Sequence, residues 1–320
     1  MRKRIQIGLR IFIAIAAYTF IAVKIGLSGI AKILDVVVSS FSSDNLLWFV
    51  LVIALMPMVW ALEAVKWREA ISSFTRITFV RSWRSVWYGV VAGQLTPNRI
   101  GEPVGRLALI DEEVRGKAGV AAVLCSFTQQ ITTVLFGLIG IGWWVWGKGF
   151  SLLPAAIPLW IAFLVIGLCV GIMFWGLFYT KSITHWVERI GWVKKILSGE
   201  SIEFNFCCST LILVQLLSIC RYLVFSTQYV ILLKLFGVNA SLIDLYAVVG
   251  LTYLFSSFIP SFSVGEVGVK AGFIIWFVGM VSSNVAGATA ASFVLWMLNL
   301  AVPALIAAWF KWRGERISEK

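Results

Sequence analysis

The chain has few charged residues, and this indicates which class of protein it is. Only 13% of the 320 residues are charged, whereas 60% are hydrophobic. A soluble domain has about 25% charged residues, and the mean hydropathy of +0.93 is correspondingly high. We therefore predict an integral membrane protein with several spans.

Residue types that serve catalysis and metal binding are also scarce. The one histidine, His185, lies in a polar loop and is interpreted as a surface residue. The five cysteines lack metal-ligand spacing and are expected to be small buried hydrophobic side chains: Cys125, Cys169, Cys207, Cys208 and Cys220. The chain has no nucleotide-binding loop and no Gly-x-Ser-x-Gly sequence. The sequence thus favours a protein that is not an enzyme, binds no metal and needs no cofactor.

Acidic residues are fewer than basic ones, and the net charge is +12 at pH 7. Nucleic-acid binding is nevertheless not predicted, because the bases cluster between apolar runs, as in cytoplasmic loops of membrane proteins. The strongest cluster, 66–84, is interleaved with tryptophans and fits either a plain basic loop or a segment on anionic lipid. Bases at 2–4 and 311–316 place both termini in the cytoplasm. The predicted location is the cell membrane, with several passes.

Hydropathy divides the chain into about six full spans and two interrupted segments. The full spans are predicted at about 7–23, 46–64, 118–146, 152–179, 206–236 and 286–310. The apolar runs 86–95 and 245–259 are shorter than the roughly 20 residues that a crossing helix needs. Residues 24–45 are interpreted as an outer loop. The predicted fold is a single all-α integral membrane domain over residues 1–320.

A broken, charged motif follows each short apolar run. The first motif, 94–106, contains Pro97, Arg99, Gly101, Glu102 and Arg106. The second motif, 260–270, contains Pro260, Gly265, Glu266 and Lys270. In each motif a base lies four residues after the glutamate, so the two side chains share a helix face and can pair. Either motif alone also fits a surface loop.

The two motifs lie about half a chain apart, with three predicted full spans between them. The first is entered from the cytoplasm and the second from outside, so we predict two re-entrant hairpins in an inverted-topology repeat. The pseudo-repeats cover about 46–146 and 206–313. Paired interrupted segments of this kind indicate a transporter's binding site near the membrane midplane.

Several polar residues fall inside predicted spans. Arg221 lies near the middle of 206–236, where a charge is costly, and it is expected to contact a substrate, to pair with Glu102 or Glu266, or both. Gln129 and Gln130 either face a cavity or make hydrogen bonds between helices. The sequence Gly89-Val-Val-Ala-Gly93 is typical of a closely packed helix face.

The chain resembles the lysylphosphatidylglycerol synthase transmembrane-region family, the flippase-like domain that forms the membrane part of the multiple peptide resistance factor. The resemblance covers nearly the whole chain. It rests on Thr96-Pro-Asn-Arg-Ile-Gly-Glu-Pro103 with Arg106, and on Pro260 with Ser263-Val-Gly-Glu-Val-Gly-Val-Lys270. It implies a helical membrane domain of a lipid flippase.

The sequence departs from the family pattern at four places. Asn98 stands where glycine is usual, Gly265-Glu266 replaces Gly-Gly, and Lys270-Ala271 replaces an Arg-Glu pair. A commonly charged stretch reads Thr128-Gln-Gln-Ile131. This pattern indicates a divergent branch, so the resemblance implies no particular substrate. No aminoacyl-transferase domain follows residue 320, and lipid aminoacylation is not expected.

The preferred hypothesis is a lipid translocator that moves an anionic or amino-bearing head group through a charged cavity. Its partners would be a membrane lipid and the surrounding bilayer. The alternatives are a scaffold or accessory subunit for envelope-lipid or glycan assembly and, less favoured, a membrane-embedded transferase. A homo-oligomer or a partner from envelope biosynthesis is compatible with each of them.

Overall fold

The computed structural model describes residues 29–94, 96, 99, 101–147, 159–179, 206–259, 263–303 and 305–306. Within these ranges the regular structure is entirely helical, as predicted, and comprises ten α-helices. They are α1 Gly29–Ser40, α2 Leu46–Ile71, α3 Phe79–Gln94, α4 Gly101–Arg106, α5 Arg115–Gly142, α6 Leu159–Phe178, α7 Cys208–Leu235, α8 Leu242–Ser257, α9 Ser263–Val278 and α10 Val285–Trp296.

Three described segments are long and apolar enough to cross a membrane: Ser43–Ile71, Glu112–Gly147 and Cys208–Leu235. They coincide with the spans predicted at 46–64, 118–146 and 206–236. The predicted span 7–23, the loop histidine His185 and the end of the last predicted span lie outside the described residues.

The structure extends helix beyond the sequence prediction at two places. Helix α2 runs to Ile71, because no glycine or proline interrupts it after residue 64. The predicted outer loop 24–45 contains α1, whose Ile33, Val36 and Val37 pack into the core beside α10. Their spacing of three and four residues places these side chains on one helix face.

The outer surface of the long helices is apolar. Leu47 is 74% exposed and Ile53 58% exposed on α2, a surface that lipid solvates better than water. The expectation of buried cysteines is wrong for Cys207, Cys208 and Cys220, which are exposed, and holds for Cys125. The reason is that an apolar residue in a membrane-type helix can face outward as readily as inward.

Two helical hairpins are the elements that position the site. Helices α3 and α4 form the first hairpin, and α8 and α9 form the second. In the first hairpin the predicted close-packing face is confirmed, because Gly89 and Gly93 lie directly against α4. A Cβ at Gly89 would stand 2.8 Å from the Glu102 carbonyl oxygen, and one at Gly93 would stand 3.2 Å from Glu102 Cβ.

The long helices α2 and α7 pack antiparallel against each other. Gln228 Nε2 donates a hydrogen bond to the Val52 carbonyl at 2.8 Å, whereas near the other end of the contact Lys66 Nζ donates to Ser218 Oγ at 3.3 Å. One apolar core surrounds the second half of α2 with α3 and α5, and another surrounds the second half of α7 with α8 to α10.

Candidate functional site

Glu63 is the centre of a buried ion-pair cluster. The side chain is 2% exposed, and its Oε1 lies 2.6 Å from Arg106 Nη2. Its Oε2 lies 2.8 Å from Lys66 Nζ and 3.3 Å from Arg221 Nε. One carboxylate thereby joins cations from α2, α4 and α7, and the position of each cation depends on it.

Each hairpin contributes a glutamate–base pair from its second helix, as the spacing predicted. Glu102 Oε1 lies 2.7 Å from Arg106 Nη2, and Glu266 Oε1 lies 2.5 Å from Lys270 Nζ. Glu102 Oε2 also lies 3.2 Å from Arg99 Nη2. We call the eight residues of these pairs the central charge cluster: Glu63, Lys66, Arg99, Glu102, Arg106, Arg221, Glu266 and Lys270.

A cavity of about 470 Å³ brings the two motifs together. Five members of the central charge cluster line it: Arg99, Glu102, Arg221, Glu266 and Lys270. Amide and hydroxyl side chains from α5, α8 and α10 form other parts of its wall, and aromatic rings from α2, α7 and α8 complete it. The cavity thus offers charge, neutral hydrogen-bonding groups and apolar surface within one space.

Arg99 has a strained backbone that directs it into this cavity. Its φ is +57°, and it is the one non-glycine residue with a positive φ in the described part of the chain. Its Nε and Nη2 atoms are buried without a hydrogen-bond partner, although Nη2 is ion-paired with Glu102. Strain at a non-glycine residue is typical of ligand-binding sites, and Arg99 lines the cavity with a buried Nε that has no partner among the described residues.

Arg221 lies in the cluster, but its carboxylate partner differs from the prediction. The expected partner was Glu102 or Glu266, whereas the structure pairs Arg221 with Glu63. Its Nη1 also donates to Gln129 Oε1 at 2.9 Å, and its guanidinium lies 5.4 Å from the centre of the Trp60 ring. These contacts hold the charge at the cavity wall.

The polar residues of α5 serve in both of the ways that the sequence left open. Gln129 and Gln130 line the cavity. Their neighbours Thr128 and Thr132 instead accept hydrogen bonds from α7, from Ser218 Oγ at 3.0 Å and from Gln215 Nε2 at 2.9 Å.

Lys66 was counted among the bases of the segment 66–84, outside the second span, whereas the structure places it in the protein interior. The residue is 1% exposed inside α2 and donates to the Cys125 carbonyl at 3.2 Å. The physical reason is that Lys66 follows Glu63 by one helical turn, so both face the protein interior and pair there. Glu63 falls at the end of the span predicted at 46–64, and the sequence did not assign it to the site.

The remaining predicted site residues are backbone positions. Gly101 N donates to Thr96 Oγ1 at 2.7 Å, and a Cβ on Gly101 would lie 2.5 Å from the Ala92 carbonyl oxygen, which explains the glycine. Gly265 is buried in the first turn of α9. Pro97 and Pro260 lie outside the described residues. In the described ranges no group of His, Cys, Asp and Glu side chains is arranged to hold a metal ion.

A comparison with protein families matches residues 5–307 to one model, the lysylphosphatidylglycerol synthase TM region. The matched range includes both hairpins and every member of the central charge cluster. No curated protein matches the chain in sequence.

Proposed function

Because the chain belongs to the lysylphosphatidylglycerol synthase TM region family, which is membrane-embedded and lipid-related, we propose that it translocates a lipid between leaflets. The polar head group would pass through the cavity while the acyl chains stay in the bilayer. In this proposal the protein is not an enzyme, needs no cofactor and lies in the cell membrane with both termini in the cytoplasm.

The convergence of the two motifs is the observation that supports this proposal most. Glu102 and Glu266 lie about half the chain apart, yet both line one cavity. Charges inside an apolar helical bundle are costly and are retained where they serve a polar pathway. We propose that the two hairpins are re-entrant and related by an inverted-topology repeat within about six full spans, as in transporters that bind their substrate near the midplane.

The basic and the acidic residues of the cavity would have different roles. Arg99, Arg221 and Lys270 would bind an anionic group, and the planar fork of arginine suits phosphate oxygens. Glu102 and Glu266 would hold these bases in place and would accept hydrogen bonds from an amino group where the head group carries one.

We expect Glu102→Gln to slow lipid exchange at least about tenfold, the effect of losing one charge-assisted contact in the pathway. The protein should stay folded, because Arg106 keeps its contact with Glu63, and because Arg99, which loses its carboxylate partner, is 27% exposed. The measurement is leaflet exchange of head-group-labelled lipids in proteoliposomes, read with a membrane-impermeant quencher.

Glu112→Gln is the matched control for that experiment. Glu112 pairs with Arg115 outside the cavity and is 85% exposed, so the same substitution should leave exchange unchanged. Wild-type rates in a well-folded Glu102→Gln protein would contradict the proposed pathway.

A scaffold for envelope-lipid or glycan assembly is the second candidate. It is favoured by the complete burial of Lys66 and Arg106, whose ion pairs with Glu63 need no ligand to explain them. In a scaffold, charge-removing variants at the cavity should lower yield and melting temperature together. In a translocator, exchange should fall while the melting temperature of Glu102→Gln stays close to that of the wild type.

A further inference from the structure

The central charge cluster has more positive than negative charge. It contains five cations, Lys66, Arg99, Arg106, Arg221 and Lys270, and three carboxylates, Glu63, Glu102 and Glu266. Counted over the described residues with all groups ionised, the surplus is two positive charges. These eight residues include all the charged residues that line the cavity.

This surplus is located where water screens it poorly. Glu63, Lys66 and Arg106 are each at most 2% exposed, and Arg99 is the most exposed member of the cluster at 27%. An uncompensated charge away from water is costly, and a bound counter-charge relieves that cost. The structure therefore favours an anionic occupant over a neutral or cationic one.

The donors that face the cavity fit one kind of anion best. Arg99 offers Nε, a donor without a partner among the described residues, and Nη2, which is ion-paired with Glu102, while Arg221 and Lys270 add charge on other parts of the wall. A phosphate esterified once has three free oxygens and carries about −1.5 to −2 at neutral pH. A phosphate esterified twice has two free oxygens and one charge, so it would leave one positive charge unneutralised.

We propose that the cavity selects a phosphomonoester dianion, carried by a lipid, over phosphodiester and aminoacylated head groups. That a lipid carries the phosphomonoester rests on the proposed function. The preference for a dianion rests on the charge count and on the unpartnered Nε of Arg99. An aminoacylated head group would add positive charge to a wall that already has a surplus.

Binding of soluble short-chain lipids to the purified full chain tests this selection. The probes are dihexanoyl phosphatidic acid and dihexanoyl phosphatidylglycerol at pH 8, with binding read as a rise in melting temperature over a concentration series. We expect phosphatidic acid to bind about tenfold more tightly, the effect of one additional charge-assisted contact. Equal affinities would overturn the proposal.

The pH dependence of binding provides a second readout. A phosphomonoester loses its second charge near pH 6, whereas a phosphodiester keeps one charge throughout. The preference for phosphatidic acid should therefore shrink between pH 8 and pH 5, and a preference of constant size would contradict selection by charge. Glycerol 3-phosphate tests whether the ligand must be a lipid. If it binds as tightly as phosphatidic acid, the claim that a lipid carries the phosphomonoester is overturned.

Arg99 variants link the preference to the cavity. Arg99→Asn removes one charge with a residue that tolerates a positive φ, and Glu102 keeps its contact with Arg106. We expect this variant to bind the two lipids within about threefold of each other. Arg99→Lys keeps the charge and should retain most of the preference.

Lys117→Gln is the control for general charge effects. Lys117 is exposed and lies about 18 Å along α5 from Gln129, so its loss should not alter the preference. A preference that survives in Arg99→Asn, or falls equally in Lys117→Gln, would overturn the assignment to the cavity.

Leaflet exchange separates this inference from the proposed function. Selective binding of phosphatidic acid without exchange of any lipid would contradict translocation and support the selection. Exchange of phosphatidylglycerol at the same rate as phosphatidic acid would support translocation and overturn the selection.

Discussion

Glu63→Gln should be the most destabilising single charge change in this protein. Glutamine keeps the shape of the side chain but removes the one carboxylate that contacts Lys66, Arg106 and Arg221 together. Breaking a buried ion pair by removing one partner costs about 3–5 kcal/mol, because the other charge stays buried and unpaired. Here Lys66 loses its carboxylate partner and Arg106 keeps only Glu102, so we expect the upper end of that range.

The measurement is the melting temperature and the monodisperse yield of the purified protein in detergent. Glu69→Gln is the matched control, because Glu69 lies on the same helix and pairs with Arg68 at the surface, where it is 30% exposed. Surface pairs contribute about 0–1 kcal/mol. If both variants melt at the same temperature, Glu63 is not the centre of the cluster.

Gly105→Ala should open the first hairpin and remove both stability and lipid exchange. A Cβ on Gly105 would stand 2.4 Å from the Tyr88 carbonyl oxygen and 2.7 Å from Gly89 Cα. Both are backbone atoms of α3, so no side-chain rotation can make room. We expect a cost of about 3 kcal/mol, the upper end for overpacking, and displacement of Glu102 and Arg106 from their partners.

Gly119→Ala provides the control for this substitution. Its Cβ would meet only Leu107 Cδ1, at an ordinary 3.8 Å, and alanine favours helix over glycine. The melting temperature should therefore hold or rise in Gly119→Ala and fall in Gly105→Ala. A Gly105→Ala protein with wild-type stability would mean that the two helices of the hairpin are not in close contact.

Local patterns predicted much of the site. The spacing of Glu102 with Arg106 and of Glu266 with Lys270 predicted both ion pairs, since residues four apart share a helix face. Composition predicted the all-helical fold, and the recurrence of the motif led to the search for a shared site. These inferences succeed because they depend on residues a few positions apart.

The part that was missed depends on contacts between distant residues. Glu63 meets Arg106 and Arg221, which come from other helices, and no local spacing indicates that they converge. Hydropathy alone ended the second predicted span at residue 64 and assigned Lys66 to a loop. A helix that continues to Ile71 gives the opposite result, because it carries the lysine into the interior beside Glu63.

Reversible blockage of the cavity tests the central claim most directly. Ser257 lines the cavity, and among the described residues its hydroxyl donates only to the Leu254 carbonyl of its own helix, so Ser257→Cys should fold normally. The five native cysteines would first be replaced. We expect a bulky charged thiosulfonate reagent to stop lipid exchange by Ser257→Cys in proteoliposomes and a reductant to restore exchange in the same sample. The control is Ser73→Cys at an exposed position, which should remain active after labelling. Complete labelling of Ser257→Cys with unchanged exchange would contradict passage of the head group through this cavity.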